Sequence, residues 1–346
     1  MKSKYRNIFL IIGIAAIIIM LLTFDMEPME LWMSLKKAGG WLPLIVGLWV
    51  IIYFINALAW YVIIHDKENN KIPFWKVYKL TITGFALNYA TPGGLMGGEA
   101  YRVMELTPYI GGSKATSSVI LYVMMHIFSH FCFWLSAIVI YVLFFPVNMF
   151  MGILLAVIAF CCLVAVYFFI KGYRNGMAVK MLRIACKIPF LKKWAIKFYE
   201  NKKETLERID TQIAELHKQR KQTFYLSLSL EFIARIVGCL EIYFILYILT
   251  DNVSFIACIL IMAFSSLFAN IFFFSPMQLG TREGGLALAV GGLAIPGAFG
   301  VYTGLITRVR EVIWIAIGVF LMKIGNNVNV APEEPAIKKN KYERTY

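Results

Sequence analysis

Apolar runs of membrane-crossing length recur along this chain and constrain its fold more than any other feature. Trp41–Ile64, Val119–Phe145 and Met149–Ile170 each exceed the roughly 20 residues that a helix needs to cross hydrocarbon. In that solvent every backbone N–H and C=O must be satisfied within the protein, so runs of this kind form helices. The chain is 60% hydrophobic and only 16% charged, which sets it apart from an average soluble domain. The expected fold class is therefore all-α, polytopic and membrane-embedded.

Two stretches depart from the pattern of a simple span. Thr81–Pro108, TITGFALNYATPGGLMGGEAYRVMELTP, is apolar yet interrupted by Pro92, Gly93, Gly94, Gly97, Gly98, Glu99 and Arg102. Ser275–Leu293, SPMQLGTREGGLALAVGGL, repeats the construction with Pro276, Gly280, Arg282 and Glu283. In both, six residues separate the proline from the glutamate, and an arginine stands beside the acid. Broken backbone at membrane depth survives only where protein or a wet cavity covers it. Paired interruptions in two halves of a chain point to an internal-repeat transporter fold.

Charge parity sets the expected topology. Lys2, Lys4 and Arg6 place the N-terminus inside, ahead of a first helix from Ile8 to Thr23 that is retained rather than cleaved. The segment Lys171–Gln222 holds 14 Lys/Arg against 5 Asp/Glu and is expected to be cytoplasmic. Counting back from it, both ends of Thr81–Pro108 fall on the cytoplasmic side, so that element enters and leaves together. Counting forward, a second hairpin across Phe255–Pro296, entered from outside, returns the basic tail to the inside. The expected architecture is about six full crossings plus two re-entrant hairpins in an inverted repeat. It forms a single transmembrane domain over 1–325, with repeat 1 near 41–145, repeat 2 near 223–323, a basic cytoplasmic loop over 171–222 and a polar cytoplasmic tail over 326–346.

Ionisable groups inside such helices mark functional sites by default. Glu231 and Arg235 are four apart and share a helix face, where they can neutralise each other. Arg308 and Glu311 lie in the last helix with Arg310, a set that leaves positive charge available. Arginine forks suit phosphate, and half-helix N-termini favour anions, so Arg102, Arg282 and Arg308 suggest a phosphate-bearing ligand. Glu99 and Glu283 are the candidates for proton coupling. His126 and His130 are also four apart, but Ile127 stands where a metalloprotease HExxH motif needs its acid, and a polar helix contact or cavity wall is the preferred reading. The cysteines show no metal-ligand spacing, and no metal or other cofactor is expected. The net charge of +14 is concentrated in the loop 171–222, which reads as positive-inside bias and lipid-headgroup attraction, not a nucleic-acid surface.

Thr91–Arg102 (TPGGLMGGEAYR), Ala115–Val119 (ATSSV) and Pro276–Gly284 (PMQLGTREG) resemble the flippase-like membrane family, the transmembrane region of lysylphosphatidylglycerol synthetase and its stand-alone relatives. The likeness runs from about residue 5 to 325 and implies movement of a lipid, or of a polyprenyl-phosphate-linked group, between leaflets. The aminoacyltransferase domain of the lysyl-lipid proteins has no counterpart before Tyr346, so lipid lysinylation is not expected. Many relatives carry an acid–Arg pair just after ATSSV, where this chain has Leu121-Tyr122-Val123-Met124-Met125-His126.

The expected activity is translocation of an anionic or polyprenyl-phosphate-linked lipid without ATP, since no nucleotide loop is visible. The expected location is the inner membrane, with both termini cytoplasmic. The alternatives are a secondary transporter for a small anionic solute, an integral membrane enzyme using His126 and His130 on a lipid phosphate, and a non-transporting partner of a biosynthetic enzyme docked through 171–222.

Overall fold

The computed structural model describes residues 28–65, 72–90, 97–175, 221–271, 281–293 and 295–324, together with the isolated positions Ile11, Glu207 and Thr211. The expected first helix, nearly all of the basic loop and the polar tail lie outside the described residues. Among the described residues the fold is entirely helical. The elements are α1 (Pro28–Ala38), α2 (Trp41–Ile64), α3 (Phe74–Ala90), α4 (Gly97–Ile110), α5 (Gly112–Phe144), α6 (Met149–Asn175), α7 (Lys221–Tyr247), α8 (Phe255–Ile271), α9 (Thr281–Gly291) and α10 (Gly297–Leu321).

The helices α2, α5 and α6 are long and apolar enough to cross a membrane by composition alone. Equally long α7 and α10 carry Glu231, Arg235 and Glu241, and Arg308, Arg310 and Glu311, charges that a lipid-facing helix does not tolerate. Both turn them into the bundle, where all but the half-buried Arg235 are buried. By contrast, α6 rests against α5 and exposes Met149, Phe150, Ile153, Phe160 and Phe168, as a helix solvated by lipid does. The short α1 was not anticipated. It exposes Met29, Trp32 and Met33, and the Tyr302 hydroxyl donates to its Ser34 carbonyl at 3.1 Å.

Both interrupted elements are antiparallel helix pairs. Along α3 and α4 the contacts run in opposite order: Asn88 reaches Gly98 and Glu99, Leu80 reaches Arg102, and Lys76 reaches Glu105 at 3.0 Å. Along α8 and α9, Phe268 meets Gly285, while Cys258 and Ile261 share a cluster with Leu286, Ala289 and Val290. The breaks themselves, 91–96 and 272–280, are outside the described residues. A single residue, Gly111, reverses the chain from α4 into α5 at φ +78°, a conformation that favours glycine.

The packing has an internal symmetry. Substituting α7, α8, α9 and α10 for α2, α3, α4 and α5, and the reverse, turns every packed pair among these eight helices into another packed pair. Thus α2 meets α3 as α7 meets α8, α4 meets α5 as α9 meets α10, and α3 meets α10 as α8 meets α5. The exchange-related helices α2 and α7 also touch, and they run antiparallel. Trp41 packs on Phe244 and Tyr247 with ring centroids 5.8 and 5.4 Å apart, while Leu48 and Ile52 cluster with Ala234. Close approach elsewhere depends on small residues. A β-carbon at Gly98 would collide with the Gly84 carbonyl, and one at Gly318 of α10 would meet Ala86 of α3 at 2.5 Å.

Candidate functional site

The first charged cluster is built on the α3–α4 pair. Gly97, Gly98 and Glu99 form the first turn of α4, and Arg102 follows one turn later on the same face. Asn88, near the end of α3, accepts from the Gly98 amide at 2.9 Å and donates to Glu99 Oε1 at 3.0 Å. It thereby satisfies one of the amides that a helix start leaves open and fixes the carboxylate. Arg102 Nη1 approaches the same oxygen at 3.3 Å. Its Nε and Nη2 donate to the carbonyls of Leu80 and Thr81, each at 3.3 Å.

Arg102 is only 2% exposed. Its guanidinium lies over the rings of Trp60, Phe85 and Tyr122 at 5.2–5.3 Å, and each desolvated cation–ring contact contributes up to about 2 kcal/mol. The cage requires Gly84, since a β-carbon there would overlap the guanidinium. Glu99 is more open at 18% exposure, and its Oε2 has no hydrogen-bond partner among the described residues.

A second cluster adjoins the first. Tyr122, stacked on Trp60 at 5.4 Å, lies within electrostatic reach of both Arg102 and Glu231. Leu121 to His126 occupy the stretch where the resemblance leads one to look for an acid–Arg pair, and the acid that meets this stretch is Glu231 of α7. Glu231 and Arg235 attract each other through space, as their spacing suggests, but their hydrogen bonds go to other partners. Glu231 meets His126 Nδ1 at 2.8 Å, whereas Arg235 donates to Ser129 Oγ and to the His126 carbonyl, both at 2.7 Å. Both residues bridge α7 to α5 because the facing helix offers shorter partners than their own does. His130 stands edge-on to His126 at 5.4 Å, and its Nδ1 has no hydrogen-bond partner among the described residues.

The third cluster joins α7 to α10. Arg310 grips Glu241 through Nε at 2.8 Å and Nη2 at 3.0 Å, with its guanidinium 3.7 Å from the Trp49 ring centroid. Arg308 pairs with Glu311 at 3.2 Å, and all four of these side chains are buried. The surplus positive charge expected on α10 is therefore offset by Glu241, an acid from a distant part of the sequence. Bidentate charge-assisted bonds of this kind are the strong ones.

The third cluster sits at a different depth from the first two. Glu231 and Glu241 are ten residues apart on α7, about 15 Å of helix rise. On α2, Trp60 at the first cluster and Trp49 at the third are separated by about 16 Å. The interior thus carries two charged layers, separated by about half of the roughly 30 Å hydrocarbon core.

Of the residues singled out from sequence, Gly97, Gly98, Glu99, Arg102, His126, Glu231 and Arg235 gather in one region, while Arg308 and Glu311 lie in the other layer. Pro92, Pro276 and Gly280 fall outside the described residues. Arg282 and Glu283 start α9, but their side chains are not described. Asn88 was missed, although an asparagine just before a helix break in an apolar run is a usable signal. The Trp60–Phe85–Tyr122 cage was missed as well; its members come from three helices and share no spacing.

Fold and site together define a polytopic α-helical membrane protein with a charged interior and two interrupted helix pairs. The chain belongs to the lysylphosphatidylglycerol synthase TM region family, whose model matches residues 8–318. Membership ties it to the membrane region of a lipid-synthesising protein, as the resemblance in the sequence implied. No curated protein and no solved structure matches it.

Proposed function

We propose that this protein moves an anionic or polyprenyl-phosphate-linked lipid between the leaflets of the inner membrane, without ATP and with both termini cytoplasmic. The observation that carries the proposal is the Asn88–Glu99–Arg102 constellation at the start of α4. It sets a partly open carboxylate, a caged guanidinium and a helix N-terminus at a break inside an apolar bundle. Such a break, lined by charge, suits a headgroup that must be stripped from water while its acyl chains stay in lipid. The two charged layers offer successive stations across the hydrocarbon. The exchange symmetry and the antiparallel run of α2 against α7 support two copies of opposite orientation, α2–α5 and α7–α10, whose hairpins enter from opposite sides. The family's tie to a phospholipid headgroup favours lipid over a small solute.

A second reading, an integral membrane enzyme acting on a lipid phosphate, draws on the imidazole of His126 being oriented by Glu231 as an acid–base group would be. The test is leaflet exchange of fluorescent phosphatidylglycerol, phosphatidylcholine and a polyprenyl phosphate in proteoliposomes. Translocation predicts accelerated exchange of at least one acidic lipid over the zwitterionic one, reduced about tenfold or more in Glu99→Gln/Glu283→Gln, as for loss of the charge-assisted contacts of Glu99. Chemical conversion of the lipid without exchange would establish the enzyme reading instead.

A further inference from the structure

His126 and Glu231 form a pair that the constellation at the α4 start does not use. The carboxylate is 1% exposed, and its Oε2 meets the imidazole Nδ1 at 2.8 Å. Its other oxygen, Oε1, is buried, and the Tyr122 hydroxyl lies beside this carboxylate within interacting distance. The imidazole is 30% exposed, so this same pair reaches from a sealed interior to an open flank. With the carboxylate ionised, Nδ1–H donates to it and the Nε2 lone pair is left to accept.

Charged and titratable groups reach the imidazole from several helices packed on this part of α5, while α6 contributes the ring of Phe169 against Phe128. From α7 come Glu231 and Arg235; from α5 itself come Tyr122 and His130. From α4, Arg102 and Glu99 act through the Tyr122 ring. The ring of Phe85 on α3 brings no charge, α2 contributes Trp60 to Tyr122, and α8 contributes Ser266 to the Trp134 beside His130. The permanent charges are matched one for one, Arg102 to Glu99 and Arg235 to Glu231. With His126 neutral the region is balanced; with His126 protonated it carries one positive charge. Arginine does not shed its proton and an ordinary carboxylate titrates well below neutrality, so the imidazoles are the groups suited to change this balance near neutral pH.

We propose that His126, oriented by Glu231, is the proton-binding site that couples lipid movement to a pH gradient. A proton from water binds Nε2 as an anionic headgroup enters, the imidazolium stays bonded to Glu231 through Nδ1–H, and the proton returns to water when the headgroup leaves. An anion then enters a compensated site, and an empty site is left neutral. The coupling is thereby placed at His126 rather than at Glu99, whose carboxylate pairs with Arg102; the Glu283 side chain lies outside the described residues.

This inference rests on the lipid-translocation reading, and its test separates the two. In proteoliposomes, the leaflet distribution of fluorescent phosphatidylglycerol is followed with and without a gradient of about one pH unit, a range over which imidazole changes charge. The wild type is expected to shift the distribution with the gradient, whereas His126→Gln and Glu231→Gln exchange lipid identically with and without it. His130→Gln should keep the response. In detergent, short-chain phosphatidylglycerol should draw about one proton per lipid bound in the wild type and none in His126→Gln, read with an indicator dye in weak buffer. Lipid binding by folded His126→Gln with undiminished proton uptake overturns the assignment. Exchange by the wild type that ignores the gradient overturns it too, and leaves translocation standing. No exchange of any acidic lipid by folded wild type removes both.

Discussion

Arg310 shows how a buried charge is retained in lipid. Fully buried, it spends two donors on Glu241 and lies against the Trp49 ring. Removing one partner strands the other charge in the bundle. Arg310→Met and Glu241→Gln should therefore each lower unfolding free energy in detergent by about 3–5 kcal/mol, whereas Arg310→Met/Glu241→Leu should recover most of it. Equilibrium denaturation of the three variants checks this; a double variant as weak as the singles would show that the pair does not act as a unit. The sequence showed that these charges must face inward, because lipid rejects them. It did not show whom they meet. Arg308, Arg310 and Glu311 read as a set with positive charge to spare, and the acid that offsets it, Glu241, reaches Arg310 from 69 residues away. Glu231 and Arg235 had ideal spacing for each other and nonetheless bridge to α5, since a facing helix can offer shorter contacts than the next turn of the same helix.

At the scale of elements, interruptions were the legible feature. Proline and glycine inside apolar runs located both helix pairs, and α3–α4 and α8–α9 fall where those residues break the pattern. Helix starts were less legible. The run GSKATSS reads as polar approach to a span, yet it is the first part of α5, which begins at Gly112 because Gly111 ends α4 and turns the chain. The amphipathic α1 was missed because its apolar residues, Met29, Trp32 and Met33, are too few to register as a span. Opposite hairpin entry makes a direct prediction. In a background freed of native cysteines, Ser113→Cys should react with an impermeant thiol reagent only from the cytoplasmic face. Asn252→Cys and Ala298→Cys should react only from the external face. Labelling of Ala298→Cys from the same side as Ser113→Cys would contradict two hairpins of opposite sense.

For the whole molecule, function follows from where the bundle places charge relative to lipid. The apolar face of α6 is left to the bilayer, while the polar groups of α3, α4, α5, α7 and α10 converge inside. That division was readable in outline from charge distribution alone. The two-layer spacing was not, because it depends on which faces of α2 and α7 meet. The central claim is that an anionic lipid headgroup occupies this charged interior. It is tested most directly with phosphatidylglycerol bearing a photoactivatable headgroup, incorporated into proteoliposomes and mapped by peptide after illumination. The expected result is adducts on α4, α5 and α10 around Arg102, His126 and Arg308, suppressed by excess unlabelled phosphatidylglycerol. Adducts confined to the lipid-facing surface of α6, unaffected by competitor, would contradict it.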